Sequence, residues 1–362
     1  MAVPLRLGII TAGGDCPGLN AVIRAVVKAA ARCKPAIEIV GILDGYAGLV
    51  ENRTRPLTDA DVSGILVRGG TILGTSNRDN PFQYLSPEGG EPRDRSKDAL
   101  DTLARHRIDG LITIGGDGTL RGALEFSHRG VRVIGIPKTI DNDLDGTDVT
   151  FGFDSAMSVA TDAVDRLHST AESHHRVLIC EVMGRYAGWI ALRSGLAGGG
   201  DVILIPEIPY RLDKICDAVL ARKQRGKNFS LLVVAEGSRP VGGTMVSQGT
   251  YKEAAKRPRL GGIGLVVAEQ VEKRIQIDSR VVVLGHLQRG GIPTAYDRWL
   301  ATHYGVKAVE LASAGQWGQM VSLRGTQFSQ VAIEDAVRQP RRVDPNGEEV
   351  RTARAVGMSF GD

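Results

Sequence analysis

The chain has 362 residues, which is enough for about two domains of average size. With 42% hydrophobic and 24% charged residues it has the composition of a folded globular protein, which excludes disordered, collagen-like and coiled-coil chains. The net charge of +4 is too small for a nucleic-acid-binding surface and suits a small anionic ligand better.

Cysteine spacing and hydropathy indicate a cytoplasmic protein. The four cysteines are far apart and form no C-x-x-C pair, so we expect reduced thiols. The apolar run near the N-terminus is too short for a secretory signal. No stretch of sequence approaches the roughly 20 apolar residues of a membrane span, and we expect neither a membrane nor a nucleic acid as a partner.

The first half of the chain alternates strands with helices. Short β-branched runs bounded by glycine predict strands at residues 5–11, 37–43, 110–116 and 131–137. Segments with helical periodicity lie between them, at residues 19–34, 96–107 and 120–128. This order predicts a parallel sheet with helices on both faces.

The same pattern starts again after residue 151. It predicts helices at residues 154–173, 187–196, 212–225 and 260–274, and strands at residues 176–182, 201–207, 229–237 and 280–286. No fixed-period repeat is present in the sequence, so we expect a second α/β lobe rather than a solenoid. The predicted linker is the loop at residues 139–153, and the polar segment from residue 339 has the weakest pattern.

Two predicted strands end in glycine-rich turns. Gly13 and Gly14 follow the first strand, and GGDGT at residues 115–119 follows the third. Backbone N–H groups at such turns, backed by a helix N-terminus, suit a phosphate. Asp117 would repel a phosphate by itself, which predicts a hard cation such as Mg²⁺ between them. The alternative is a pair of strand-to-helix turns that bind nothing, and neither a P-loop nor a dinucleotide fingerprint is present in the sequence.

A third turn, PKTIDND at residues 137–143, carries two acids. Asp141 and Asp143, flanked by Lys138 and Thr139, follow a predicted strand, where open α/β sheets bind ligands. One acid could act as the general base of a phosphoryl transfer. An Asp-rich surface turn is the alternative interpretation.

Basic residues accumulate near the strand ends of the second lobe. Arginine binds phosphate bidentately, and His286 with Arg289 could share one anion. Glu236, directly after an apolar run, suits hydrogen bonds to sugar hydroxyls. The further cations are Arg176, Arg185 and Arg280. One lobe therefore suits a magnesium nucleotide and the other a phosphorylated acceptor, although each arginine alone is more often a solvated or helix-capping residue.

Five motifs together resemble the 6-phosphofructokinase family, in order and in spacing, over about residues 5 to 325. They are GGDCPGLNAVIR at residues 13–24, GGDGT at 115–119, PKTIDND at 137–143, MGRYAGW at 183–189 and LGHLQRGG at 284–291. GGDGT also occurs in NAD kinases and diacylglycerol kinases, which lack the TIDND and HLQRGG signatures.

The resemblance implies the catalytic residues and the donor site. Asp141 would be the base that deprotonates the 1-hydroxyl of fructose 6-phosphate, with Thr139 and Asp143 orienting the transferring group and the metal. Arg185 would stabilise the transition-state charge, and Gly13 with the GGDGT turn would hold the donor phosphates. The implied ligands of ATP and Mg²⁺ are Gly13, Tyr46, Arg78, Gly116, Asp117, Gly118, Thr119 and Lys138, with Asp117 on the metal.

The resemblance also implies the acceptor site and an oligomer. His286 and Arg289 of one subunit would bind the 6-phosphate together with Arg176 and Arg280 of its neighbour, so at least a homodimer, and usually a homotetramer, is expected. Further implied substrate contacts, in addition to Thr139, Asp141, Asp143 and Arg185, are Met183, Gly184 and Glu236. The family's allosteric site uses basic residues, of which Arg24 and Lys28 are present, whereas His168 stands where an arginine is common.

The implied fold is α/β, with two Rossmann-like lobes that are each a mostly parallel sheet flanked by helices, and an active site in the cleft between them. The larger lobe, for the phosphate donor, would comprise residues 1–152 and about 288–338. The smaller lobe, for the sugar phosphate, would comprise about residues 153–287 and 339–362.

The residues that discriminate phosphate donors are mixed. Gly118 matches ATP-dependent members, whereas Lys138 matches pyrophosphate-dependent members. Because the absence of a side chain at residue 118 leaves room for an α-phosphate, we expect transfer of the γ-phosphate of MgATP, in glycolysis. A pyrophosphate-dependent enzyme and a catalytically silent sensor are the alternatives, and Asp117, Asp141 and Arg185 argue against the sensor.

Overall fold

Strands and helices alternate through most of the chain, as the sequence predicts. The computed structural model describes residues 5–85, 90–250 and 258–362, so the first four residues of the predicted larger lobe lie outside the described residues. The strands within these ranges are β1 (Arg6–Thr11), β2 (Glu38–Ile42), β3 (Thr54–Leu57), β4 (Gly110–Gly115), β5 (Val133–Pro137), β6 (Val177–Val182), β7 (Val202–Leu204), β8 (Ser230–Ala235), β9 (Ser247–Thr250), β10 (Pro258–Leu260), β11 (Ser279–Val283), β12 (Gln319–Arg324) and β13 (Gln327–Ala332).

Helices connect and cover these strands. The α-helices are α1 (Leu19–Ala30), α2 (Tyr46–Val50), α3 (Ser96–Arg105), α4 (Asp117–His128), α5 (Phe153–His174), α6 (Trp189–Ala197), α7 (Leu212–Gln224), α8 (Ile263–Ile275), α9 (Ala295–Ser313), α10 (Ile333–Ala336) and α11 (Glu348–Ala355). Two short 3₁₀ helices, Pro81–Gln83 and Gly285–Arg289, lie in the connecting loops.

The larger sheet has seven strands in the order β13-β12-β5-β4-β1-β2-β3. Its five central strands are parallel, and the edge strands β3 and β13 pair antiparallel with their neighbours. Pro56 lies in the edge strand β3, where a residue without an N–H is tolerated. Strands β12 and β13 return to this sheet from the C-terminal third of the chain.

The smaller sheet has four parallel strands in the order β11-β6-β8-β7. The C-terminal segment extends its β7 edge, because Ile203 N–H donates to Ser359 O at 2.8 Å. The opposite edge strand, β11, exposes Val282 and Val283, at 38% and 57% of their surface. This mostly parallel α/β architecture confirms the predicted fold class.

A continuous apolar core joins the helices between the two sheets. It includes fully buried residues of α1, α5, α6 and α9. Helices α1 and α9 approach closely because Gly305 has no side chain, and a Cβ there would lie 2.7 Å from Ala25 Cβ. Burial of this apolar surface is the main stabilising contribution to the fold.

Several element boundaries differ from the prediction. Helix α1 ends at Ala30 rather than at residue 34, and Pro35 disfavours helical backbone at Lys34 itself. Strand β7 has three residues rather than seven, and Pro206 lies just beyond it without an N–H to donate. Helix α9 and the hairpin β12–β13 were not predicted at all.

Within residues 5–85, 90–250 and 258–362, no helix combines the length and the apolarity needed to cross a bilayer.

Candidate active site

The carboxyl ends of β1, β4 and β5 lie side by side in the larger sheet. Backbone hydrogen bonds join the segments that follow: Ala12 N–H donates to Ile114 O at 3.0 Å, and Lys138 N–H donates to Gly115 O at 3.0 Å. The three turns that the sequence analysis treated separately therefore meet at one edge of the sheet, where open α/β folds bind ligands.

The first turn is built around Gly13, whose φ of 83° favours glycine. Its N–H donates to Ser76 O at 2.9 Å, and its carbonyl accepts from the Thr75 hydroxyl at 2.7 Å, so the Gly13 amide is used within the protein. A Cβ on Gly13 would lie 3.3 Å from Thr119 Oγ1 and 3.4 Å from Lys138 Nζ. Glycine here lets a hydroxyl and an ammonium group approach the same point.

Lys138 ties the third turn to the first. Its side chain is buried and its Nζ donates to Gly14 O. Burial lowers the pKa of Lys138, while the nearby Cys16 and Asp15 act in the opposite direction. The ammonium group is thus fixed beside the glycine turn.

In the second turn, helix α4 begins at Asp117, three residues earlier than predicted. Asp117, Gly118 and Thr119 therefore belong to its first turn rather than to a loop. The N–H groups of a first turn have no intrahelical acceptor, and the helix dipole favours an anion there. Asp117 accepts from Arg121 Nε at 3.0 Å, and a Cβ on Gly118 would meet no described atom within 4 Å.

Tyr46 and Arg78 support these turns from two sides. The buried Tyr46 donates its hydroxyl to Thr119 O at 2.7 Å, so it holds the start of α4 from within the core. The exposed Arg78 lies two residues after Ser76, whose carbonyl accepts from Gly13, and Arg78 N–H donates to Ser76 Oγ at 3.2 Å. A contact of either residue with a nucleotide stays a prediction.

Asp141 lies at the centre of the third turn and is 6% exposed. Its N–H donates to Thr139 Oγ1 at 3.1 Å, and Thr150 closes the loop by donating its hydroxyl to Thr139 O at 2.7 Å. Asn142 adopts a left-handed φ of 52° and accepts from Thr150 N–H at 3.0 Å. Among the described residues no group donates to the buried Asp141 Oδ1.

Three carboxyl groups share this region, and their charges interact. Burial raises the pKa of Asp141, and the charges of Arg289, Arg185 and Lys138 oppose this effect. Burial, together with the Asp141 charge, raises the pKa of Asp143 to about 7 and that of Glu236 to about 7. Carboxyl groups with such raised pKa values mark candidate functional sites.

The loop after β6 brings Arg185 towards these acids. Its backbone is unusual, with φ values of 137° at Gly184 and 49° at Arg185. Arg185 N–H donates to Glu236 Oε1 at 3.2 Å, and a Cβ on Gly237 would lie 1.8 Å from Arg185 O. Strands β6 and β8 are neighbours, so Met183, Arg185 and Glu236 lie together at their carboxyl ends.

The HLQRGG segment connects the two lobes. Arg289 Nη1 donates to Asp15 O at 3.0 Å and packs against Gly14, where a Cβ would lie 2.1 Å from the same nitrogen. The buried Gln288 accepts from Met183 N–H at 3.2 Å. His286 is exposed beside them. Arg289 therefore contacts the turn that carries Gly14, and its neighbour Gln288 contacts the loop after β6.

Arg176 and Arg280 are not brought to this site within one chain. Arg176 precedes β6 and Arg280 lies at the start of β11, and both pair with Asp278. The other residues predicted to bind the sugar phosphate follow the opposite ends of these strands, and six strand residues span about 20 Å. One chain alone thus leaves the predicted cation set incomplete.

Sequence reasoning missed the residues that support the site from behind. Gln288 lies inside the LGHLQRGG motif, so its place in that motif could have indicated a role at the site. Thr150 and Gly237 lie outside the motifs, and their roles depend on contacts across the loop or between strands that no local pattern reveals.

The fold and the site together define an α/β enzyme with acids and cations at the carboxyl ends of its parallel strands. Residues 6–312 match the family model described as Phosphofructokinase. The chain is 52% identical to an ATP-dependent 6-phosphofructokinase of Chloroflexus aurantiacus, covering 99% of this chain and 98% of that protein. It is 50% identical to an ATP-dependent 6-phosphofructokinase of Mycobacterium tuberculosis, covering 94% and 96%. The chain belongs to the phosphofructokinase family.

Solved structures show the same fold. Pichia pastoris phosphofructokinase in the T-state superposes with a TM-score of 0.81 at 31% identity, covering 93% of this chain and 36% of that longer chain. A pyrophosphate-dependent phosphofructokinase from Nitrosospira multiformis superposes with a TM-score of 0.82 at 23% identity, covering 99% and 92%. The second comparison concerns the fold alone.

Proposed function

We propose that the protein is an ATP-dependent 6-phosphofructokinase, which transfers the γ-phosphate of MgATP to the 1-hydroxyl of D-fructose 6-phosphate in cytoplasmic glycolysis. The observation that carries the proposal is Asp141, a buried carboxylate with an unpartnered Oδ1. The charges of Lys138, after β5, and of Arg185, after β6, both act on this carboxylate. The proposal is supported by relatives that are named for this activity and are 51–52% identical to this chain over 99% of its length.

In the proposed reaction the Asp141 carboxylate accepts the proton of the 1-hydroxyl while the hydroxyl oxygen attacks the γ-phosphorus, and ADP leaves. A base held near the reacting oxygen lowers the barrier, because it prevents positive charge from building up on the nucleophile. Arg185 would balance the negative charge on the transferring group. Thr139 accepts from the Asp141 amide and so holds the loop at residues 139–150, which we name the base loop because it carries the proposed base. Asp143 would orient the group in transfer.

The donor site suits a nucleotide. The first turn of α4 presents N–H groups to phosphate, and the space above Gly118 would admit an α-phosphate that a side chain would block. Lys138 already donates to Gly14 O, so this lysine also has a structural role that is compatible with either donor. A pyrophosphate-dependent enzyme is the second candidate, favoured by the approach of Lys138 Nζ to Gly13 and Thr119.

Mg²⁺ fits the acids of this site. Among the described residues no group of three or more His, Cys, Asp or Glu side chains is arranged to hold a metal ion. That is the expected situation for Mg²⁺ in a kinase, which binds one or two carboxylates together with substrate phosphates and water. Asp117, at the start of α4, would be the protein ligand, and the ion would supply charge neutralisation at the phosphates.

We propose that the active site is shared between subunits of a homodimer or homotetramer. Arg176 and Arg280 lie at the far end of the smaller sheet, next to the exposed edge strand β11, where a second copy could use them for its own 6-phosphate. We also propose the lobe boundaries at about residues 152, 288 and 338, a proposal supported by the division of the strands between the two sheets. An allosteric effector site stays a prediction.

The test supplies purified protein with fructose 6-phosphate and Mg²⁺, and either ATP or pyrophosphate, and measures fructose 1,6-bisphosphate. We expect turnover with ATP. Turnover with pyrophosphate alone would establish the second candidate, and the absence of turnover with either donor would support a catalytically silent sensor.

A further inference from the structure

Near its C-terminus the chain crosses the base loop of the active site. Leu144 forms an antiparallel bridge with Pro340, and Arg341 N–H donates to Asp143 O at 2.8 Å. The Arg341 guanidinium reaches Asn142 O at 3.4 Å. The backbone of two residues next to Asp141 is thus held from outside by one C-terminal residue.

The same arginine contacts the loop that carries Arg185. Trp189, directly after the MGRYAG segment, donates its indole N–H to Arg341 O at 3.2 Å. The Arg341 guanidinium lies 4.4 Å from the centroid of the Trp189 ring, which is a favourable cation–π distance. Arg341 therefore touches both loops that supply the proposed catalytic groups.

A partly buried carboxylate strengthens this connection. Glu207 accepts from Gly188 N–H at 3.0 Å, at the end of the Arg185 loop, and from Val343 N–H at 2.9 Å. Residues 340–343 thus join the base loop to the Arg185 loop through the side chains of Arg341, Trp189 and Glu207. We name residues 340–343 the clasp.

We propose that the clasp fixes the spacing of the two catalytic loops and that Arg341 is its positioning residue. The proposal rests on the proposed function, since it assumes that Asp141 and Arg185 act on the transferring group. Arg341 is partly buried, burial lowers its pKa, and its hydrogen-bonding partner is a backbone carbonyl. Burying a guanidinium costs free energy, which is consistent with a residue whose contribution is to position the two loops.

The contacts of the clasp predict which kinetic constant it affects. The clasp holds the residues beside Asp141 and those that follow Arg185. Asp141 and Arg185 are the groups proposed to act on the reacting atoms. Lys138, Thr119 and Arg289, which would bind the phosphates of donor and acceptor, are held by other contacts: Lys138 by Gly14, Thr119 by Tyr46, and Arg289 by Asp15. A loosened clasp should therefore lower kcat more than it raises either KM, because misplaced groups lose transition-state stabilisation.

The test compares Arg341→Ala and Arg341→Lys with Arg338→Ala, the matched change at an exposed arginine outside the clasp. Steady-state kinetics with ATP and fructose 6-phosphate and the thermal unfolding midpoint are measured for the three variants and the wild type. We expect Arg341→Ala to lower kcat about tenfold, with both KM values within about twofold. Arg341→Lys should give an intermediate loss of about threefold, because lysine keeps the charge but not the planar contact with Trp189.

The outcomes separate the clasp from the proposed function. Wild-type protein without kinase activity would refute the function itself. An active wild type, with Arg341→Ala equal to Arg338→Ala in kcat, would overturn the clasp, as would a rise in both KM values at unchanged kcat. If Arg341→Ala does not fold, Arg341→Lys decides: a wild-type kcat in that variant overturns the proposal.

Discussion

The replacement of Gly237 by alanine tests how strictly the Arg185 loop must be placed. Gly237 follows Glu236, and a Cβ built on it would lie 1.8 Å from Arg185 O and 3.0 Å from the Arg185 carbonyl carbon. Close carbon-to-oxygen contacts in proteins are about 3.3 Å, so the Arg185 carbonyl must move by about 1.5 Å. The left-handed backbone at Gly184 and Arg185 limits how the loop can relax.

A displacement of this size should be visible in the kinetics. A shift of about 1 Å at a catalytic group can cost about a hundredfold in rate, so Gly237→Ala should lower kcat about a hundredfold. The KM for fructose 6-phosphate should rise, because Glu236 is adjacent, whereas the KM for ATP should stay within about twofold. The assay couples fructose 1,6-bisphosphate formation to a spectroscopic signal.

Gly226→Ala is the control for that experiment. Gly226 has a φ of 84° just after α7, and a Cβ there meets no described atom within 4 Å. The change should cost about 1 kcal/mol of stability through backbone strain and leave kcat unaltered. If Gly237→Ala keeps kcat within threefold of the wild type, the reasoning about Arg185 is refuted.

Three further predictions concern stability, the donor and the oligomer. Burial raises the pKa of Asp297 from 3.8 to about 6, so its stabilising contribution is present below pH 4 and is lost as the pH rises through 6. The stability of the wild type relative to Asp297→Asn, from urea unfolding, should therefore fall by about 2.4 kcal/mol between pH 4 and pH 7.5, and a constant difference would contradict this. Gly118→Asp should lower kcat/KM for ATP at least tenfold by filling the open space with a negative charge, and an unchanged value would place the nucleotide elsewhere. Arg280→Ala should raise the KM for fructose 6-phosphate. Hybrids that combine Arg280→Ala subunits with His286→Ala subunits should regain activity only if each active site takes residues from two subunits.

Much of the fold could be predicted because its strands are short, apolar and bounded by glycine. The convergence of the three turns followed from the same pattern, since parallel strands present their carboxyl ends at one edge. The start of α4 at Asp117 was missed because the glycines around it resemble a loop. Helix-forming tertiary contacts, such as Tyr46 holding Thr119 O, override that local preference.

The remaining parts of the site depend on contacts between distant residues. The polar segment after residue 339 gave a weak pattern, yet Arg341 lies against Asp143 and Trp189. The resemblance had already assigned Arg176 to the neighbouring subunit, and in the structure Arg176 precedes β6 whereas His286 follows β11, at the opposite end of the smaller sheet. The motifs contain the proposed catalytic groups, whereas the residues that support them were identified only from the packing.

The most direct test of the account replaces Asp141 by asparagine, which keeps the size of the buried side chain but does not accept the substrate proton. We expect kcat with MgATP and fructose 6-phosphate to fall by between about 10² and 10⁴, while binding of both substrates, measured by calorimetry, stays within a few-fold of the wild type. A kcat within tenfold of the wild-type value, with both substrates bound normally, would contradict the assignment of Asp141 as the general base.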